Sequence, residues 1–128
     1  MFCHKFKLLL TNTSDTTQME KSIIPESKIK EIAETIVKVI DPDKIILIGS
    51  YAAGTPNEDS DIDLLVIKDS PLPRYKRGLE IHKALIRSGV PMDVLVYTHN
   101  EFVTEKEIPS SFIQTAIKSS KLLYERQS

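Results

Sequence analysis

Two short apolar runs, Ile45 to Ile48 and Ile62 to Ile67, are joined by only thirteen residues. The first run closes on Gly49-Ser50, and ten residues further on Asp61-Ile62-Asp63 opens the second. An unbroken apolar run such as Lys44 to Ile48 is the pattern of a strand buried on both faces. Between the runs, Tyr51-Ala52-Ala53-Gly54 suits a helical turn, and Thr55-Pro56-Asn57 breaks it. So short a link permits a hairpin-like antiparallel pairing, and the sheet can therefore be mixed.

The flanking sequence supplies helices. Pro25 suits a first helical turn, and Ile29, Ile32, Ala33, Ile36, Val37 and Ile40 recur at three- and four-residue steps as one apolar stripe. Asp41-Pro42-Asp43 ends that helix, because a residue before proline is pushed out of helical geometry. The second strand is expected over Asp61 to Ile67. Past a Pro71-Leu72-Pro73 loop, Arg74 to Ser88 reads as one helix with Gly89 as its C-cap. Met92 to Tyr97 reads as a third strand. Thr98 or Asn100 suits the cap of a short acidic helix, and Ser110 or Ser111 the cap of another carrying Phe112, Ile113, Ala116 and Ile117. Lys121 to Tyr124 fits a short edge strand. The expected fold is α/β (α+β): a two-layer sandwich of a small mixed sheet, three or four strands, with helices packed on one face.

At 128 residues, 41% hydrophobic and 27% charged, the chain has room for one core but not two. Residues 1–22 read as a flexible lead-in, polar and without period over 11–20, and 23–128 as the domain. Met19 is a second candidate start beside Met1. With 17 Lys+Arg against 18 Asp+Glu and a pI near 6.3, there is no basic footprint for duplex nucleic acid. A single cysteine, Cys3, forms no internal disulfide and has no metal-ligand spacing, which points to a reducing compartment. No apolar stretch approaches the roughly 20 residues that span a bilayer, and the apolar part of Met1 to Leu10 is too short for a secretory signal. A cytoplasmic protein without membrane contact is expected.

The polar residues at the strand ends carry the chemistry. Asp61 and Asp63, two apart on a strand, point the same way with β-carbons about 6.6 Å apart. Such carboxylates suit two divalent ions at about 3.5–4 Å, the spacing of two-metal phosphoryl and nucleotidyl transfer. Like charges that close repel without a cation. Oxygen-only donors favour hard ions, so Mg²⁺ is expected, with Mn²⁺ as a substitute. Asp93 sits in the third apolar run and shares a face with Leu95 and Tyr97. If strands two and three are neighbours, Asp93 completes a three-carboxylate cluster, holding the ion or taking a proton from an attacking hydroxyl. Gly49 leaves room for a triphosphate, while the Ser50 hydroxyl and the amides of the following turn donate to its oxygens.

This arrangement resembles the nucleotidyltransferase superfamily typified by DNA polymerase beta, and within it the small minimal nucleotidyltransferases. The resemblance runs from about Lys44 to Tyr97, on Gly49-Ser50, on Asp61-x-Asp63 within Ser60-Asp61-Ile62-Asp63-Leu64, and on Asp93 within Pro91-Met92-Asp93-Val94-Leu95-Val96-Tyr97. It implies Asp61, Asp63 and Asp93 as catalytic and metal-holding residues, Gly49 and Ser50 as nucleotide-binding residues, ATP as substrate, and two Mg²⁺ ions. It further implies AMP transfer to a protein hydroxyl, as in antitoxins that modify a tyrosine of an all-helical toxin partner; a homo-oligomer is the other assembly to consider. Two alternatives stand beside it: a small-molecule transferase acting on an aminoglycoside-like acceptor, and a non-catalytic module that neutralises a toxin by contact. One departure favours the last. Relatives often carry arginine where this chain has Ala53, and Arg74, Lys76, Arg77 or Lys68 are the candidates to replace it.

Plainer readings compete residue by residue. Asp-x-Asp alone often sits on a solvated strand end, Gly-Ser alone is most often a turn, and Asp93 alone suits an edge-strand charge that deters aggregation. His4, His82 and His99 lack ligand-like spacing. Arg74, Lys76, Arg77, Lys83 and Arg87 read first as a solvated helix face and second as a phosphate or partner patch. Tyr51 is open between packing and stacking. Acceptor, base preference and oligomeric state are not written in the sequence.

Overall fold

The computed structural model describes residues 23–127. The lead-in over 1–22 and the two candidate starts lie outside the described residues. Helix α1 (Glu26–Ile40) follows Pro25 and buries Ile29, Ile32, Ala33 and Ile36, the stripe read from their spacing. It stops at Asp41, which turns left-handed at φ 50. Pro42 forbids a further right-handed turn there.

Then come β1 (Lys44–Ile48), α2 (Gly49–Ala53), β2 (Ile62–Ile67), α3 (Arg74–Arg77), α4 (Leu79–Leu85), β3 (Met92–Tyr97), α5 (His99–Lys106), α6 (Phe112–Ala116) with a 3₁₀ turn (Ile117–Ser119), and β4 (Lys121–Glu125). The four strands form one mixed sheet in the order β3-β2-β1-β4. β1 runs antiparallel to β2 and to β4, and β2 runs parallel to β3. The link of thirteen residues thus makes the antiparallel turn it permitted.

Strand alternation assigns each residue to a face. Ile45, Leu47, Ile62, Leu64, Val66 and Val96 meet α1 and Ile81 of α4 in the larger core. The other face is covered as well: Ile46, Ile48, Leu65, Ile67 and Tyr97 pack under Phe102 of α5 and Ile113 of α6. The mixed sheet is as read from the sequence, but helices on a single face give way to a second, thinner layer. The reason lies in β1 and β2, whose residues are apolar on both sides, so both sides need cover.

Two boundaries differ. Asp61 precedes β2 rather than opening it, leaving the strand at Ile62. The single helix expected over Arg74–Ser88 breaks at Gly78, and its second half ends at Leu85. Glycine weakens a helix interior, and Arg77 just before it turns inward to bond Leu72 O at 2.8 Å and Val96 O at 3.2 Å. Thr98 and Ser111 are the caps, with Thr98 forming a full capping box with Glu101. Among the described residues, no helix is long and apolar enough to cross a membrane.

Candidate active site

Three strand ends meet at one level of the sheet. Ile48, the last residue of β1, pairs with Asp63 of β2, and Asp63 pairs with Asp93 of β3. Register partners on adjacent strands share a face, so the carboxyl groups of Asp63 and Asp93 point the same way across a gap of about 4.8 Å between strands. That face is the one carrying Leu65, Ile67 and Tyr97. Phe102 and Ile113 cover that face farther along, and at this end a cavity is left between the strands and α6.

Gly49 fits the first corner for two reasons. Its φ is +78, and an added Cβ would collide with Oδ2 of Asp63 and lie 3.3 Å from its Cγ. Only glycine gives both the left-handed turn and the close approach of backbone to carboxylate. Next to it, Ser50 is half-buried and its carbonyl accepts the Thr55 amide at 3.0 Å, closing the α2 turn. Tyr51 is core: its hydroxyl accepts the Ile24 amide at 3.0 Å, which settles it as packing.

The loop that delivers Asp61 is held by its own turn. Asn57 Oδ1 accepts the Asp59 amide at 2.8 Å, and Ser60 Oγ accepts the Asn57 amide at 2.9 Å. Ile62 then donates to Pro91 O at 3.1 Å, tying the start of β2 to the start of β3. Asp61 is exposed on this loop, yet near enough to act on Asp63. The Asp63 carboxyl titrates above its ordinary range because burial disfavours its charge and because Asp93, then Asp61, add like-charge repulsion.

The cavity measures about 430 Å³ and is lined on the sheet side by Gly49, Ser50, Ala53, Asp63 and Asp93. Its opposite wall is Phe112, Thr115, Ala116 and Ser119. The volume falls in the range of small-molecule sites. Among the described residues, no basic side chain lines it. Arg77, whose side chain is 8% exposed, is locked to Glu101 by two bonds of 2.7 and 3.1 Å. Arg74 stacks 4.0 Å over the Tyr97 ring and bonds Glu105 at 3.2 Å. Lys68 lies five residues along from Asp63, about 16 Å at strand rise. None of Arg74, Lys76, Arg77 and Lys68 lines the cavity.

The sequence-derived set is therefore brought together in part. Gly49, Ser50, Asp63 and Asp93 line one cavity, while Asp61 stands at its approach. Among the described residues no three His, Cys, Asp or Glu side chains form a ready metal cluster. The donor set still suits Mg²⁺, which is commonly held by one or two carboxylates and completes its shell with substrate phosphates and water. Burial first, and then repulsion from Asp93 and Asp61, raise the Asp63 pKa, and the repulsion is what a cation would relieve. Sequence reasoning missed the α6 wall, whose only signal is the step 112, 115, 116, 119, the same spacing a buried helix shows.

A Gly-Ser turn at the end of one strand thus faces two carboxylates in register on the next two strands. The chain belongs to the nucleotidyltransferase domain family, whose model matches residues 26–123, and it is an enzyme of that class. It is similar to two proteins of Methanocaldococcus jannaschii, "Putative protein adenylyltransferase" MJ0141 and MJ0604. Identity is 33% over 66% of this chain and 84% of the first, and 37% over 63% of this chain and 77% of the second. In fold it is similar to a chain of a toxin–antitoxin crystallised with AMP-PNP: TM-score 0.53, 20% identity, 77% of this chain and 74% of that one.

Proposed function

We propose that the chain transfers AMP from ATP to a hydroxyl of a partner protein, a tyrosine of a helical toxin, and acts as the antitoxin of the pair. The register pairing of Asp63 with Asp93 beside Gly49-Ser50 carries this reading, and the names of the M. jannaschii relatives support a protein acceptor. Asp63 and Asp93, with Asp61 beside them, would hold Mg²⁺. Bound there, the ion neutralises phosphate charge and relieves the carboxylate repulsion.

The chain's own residues do the rest. Gly49 lets the phosphates approach the backbone, and Ser50 donates a hydrogen bond to a phosphate oxygen. Asp93 is exposed and also lines a second cavity under α4, so an acceptor reaches it from outside. The acceptor oxygen bonds to the α-phosphorus, the bond from that phosphorus to the bridging oxygen breaks, and pyrophosphate leaves with the electron pair. The hydroxyl proton passes to a carboxylate, a role for which the exposure of Asp93 suits it.

The test is transfer of label from α-labelled ATP to the co-purified partner. Asp61→Asn and Asp63→Asn should each abolish it, and labelling that survives in both would rule the chemistry out. A second reading has an observation of its own: Ala53 lines the cavity, and among the described residues no basic side chain lines it with Ala53. On that reading the chain neutralises its partner by contact alone. Calorimetry with ATP and Mg²⁺ decides, since no binding at millimolar nucleotide supports the second.

A further inference from the structure

We propose that α6 and its 3₁₀ extension form the nucleoside wall of the site, with Phe112 stacking on the base. The inference rests on the nucleotidyltransferase reading above and adds the part of the nucleotide that the strand-end residues do not address. Gly49, Ser50, Asp63 and Asp93 account for phosphates and metal. Nothing among them grips a base.

The opposite wall has the required order. The 3₁₀ turn Ile117–Ser119 packs against α2, so Ser119 stands at the phosphate end. Phe112 lies seven residues away, about 12 Å along α6 at 1.5 Å rise and the 3₁₀ turn at 2.0 Å, at the other end of the same wall. Between them, Ala116 is small and Thr115 offers a hydroxyl toward a sugar or phosphate oxygen. A nucleotide laid along this wall meets polar groups first and an aromatic ring last.

Phe112 is not there for the core. Its neighbour Ile113 is fully buried and anchors α6, while Phe112 is 52% exposed and faces the cavity. The ring's backbone is fixed in advance: Ser111 Oγ accepts the Gln114 amide at 3.0 Å and donates to Glu105 O at 2.6 Å. A rigid, half-exposed aromatic beside a phosphate site is a stacking platform, and stacking tolerates any base. Phe112 therefore contributes affinity without choosing between ATP and GTP.

The experiment is calorimetry on the full chain in Mg²⁺, with AMP-PNP and inorganic tripolyphosphate as probes. Phe112→Ala should raise the AMP-PNP Kd about 5- to 150-fold, the range of base–aromatic stacking. It should leave tripolyphosphate, which has no base, unchanged, and Phe112→Trp should restore AMP-PNP. An unchanged AMP-PNP Kd in Phe112→Ala overturns the inference. So does equal weakening of both probes that Phe112→Trp fails to rescue. If the wild-type chain binds neither probe, the parent reading falls with it; if it binds both and the Phe112 variants match it, this inference alone falls.

Discussion

Replacing Gly49 by alanine tests the corner on which the site is built. Alanine at φ +78 costs about 1–2 kcal/mol in backbone strain. Its Cβ must also push the Asp63 carboxyl from its place, because Oδ2 occupies the space and Cγ lies 3.3 Å away. Driving a side chain off its rotamer costs about 0.5–1.5 kcal/mol. The stability loss expected in denaturant unfolding is therefore about 1.5–3.5 kcal/mol. Transfer should fall roughly 10²-fold, since a displacement near 1 Å in a reacting group has that effect. Asp63→Ala removes both the oxygen and Cγ, so in that background Gly49→Ala should cost only its backbone share. The two substitutions should then show a coupling of about 0.5–1.5 kcal/mol, above the few tenths expected of independent sites. A cycle that closes to within about 0.3 kcal/mol would refute the argument, as would Gly49→Ala with wild-type stability.

Other outcomes follow from the same geometry. Without divalent cations, Asp63→Asn should be at least as stable to heat as the wild type, because it removes a carboxylate disfavoured by burial and by Asp93; lower stability would count against the crowding seen here. Added Mg²⁺ should raise the melting temperature of the wild type and not of this variant. Glu101→Gln should destabilise by about 1–2 kcal/mol, the value of a charge-assisted hydrogen bond to Arg77 reduced by solvent because Glu101 is 27% exposed. Arg77 holds the Glu101 carboxyl down from 4.5 to about 2, so its contribution is full above pH 4.5 and lost as pH falls toward 2; acid unfolding of Glu101→Gln should lack that part of the slope.

Local order was largely legible before any coordinates. The spacing of Ile29, Ile32, Ala33 and Ile36 marks α1, and the apolar runs mark β1 and β3 to the residue, because alternation and period are properties of neighbouring side chains. Gly49-Ser50, Asp63 and Asp93 stand out for a related reason: polar residues at the ends of apolar strands need an explanation. The basic helix face follows its local pattern at Arg74, Lys76, Lys83 and Arg87, which are exposed, but not at Arg77. Arg77 reads as solvated by position, yet it lies 8% exposed between Val96 and Glu101, since its partners come from sequence-distant elements.

By itself, then, the chain's order of residues determines which segments are strands and helices and which carboxylates stand at strand ends. Tertiary structure alone decides that β2 lies parallel to β3 in the register opposing Asp63 to Asp93, that Asp61 sits on the loop just before β2, and that Phe112, Thr115 and Ser119 close the cavity. A strand's periodicity is the same in any register. Only packing on both faces of the sheet chooses one, and with it the level at which the acidic side chains meet.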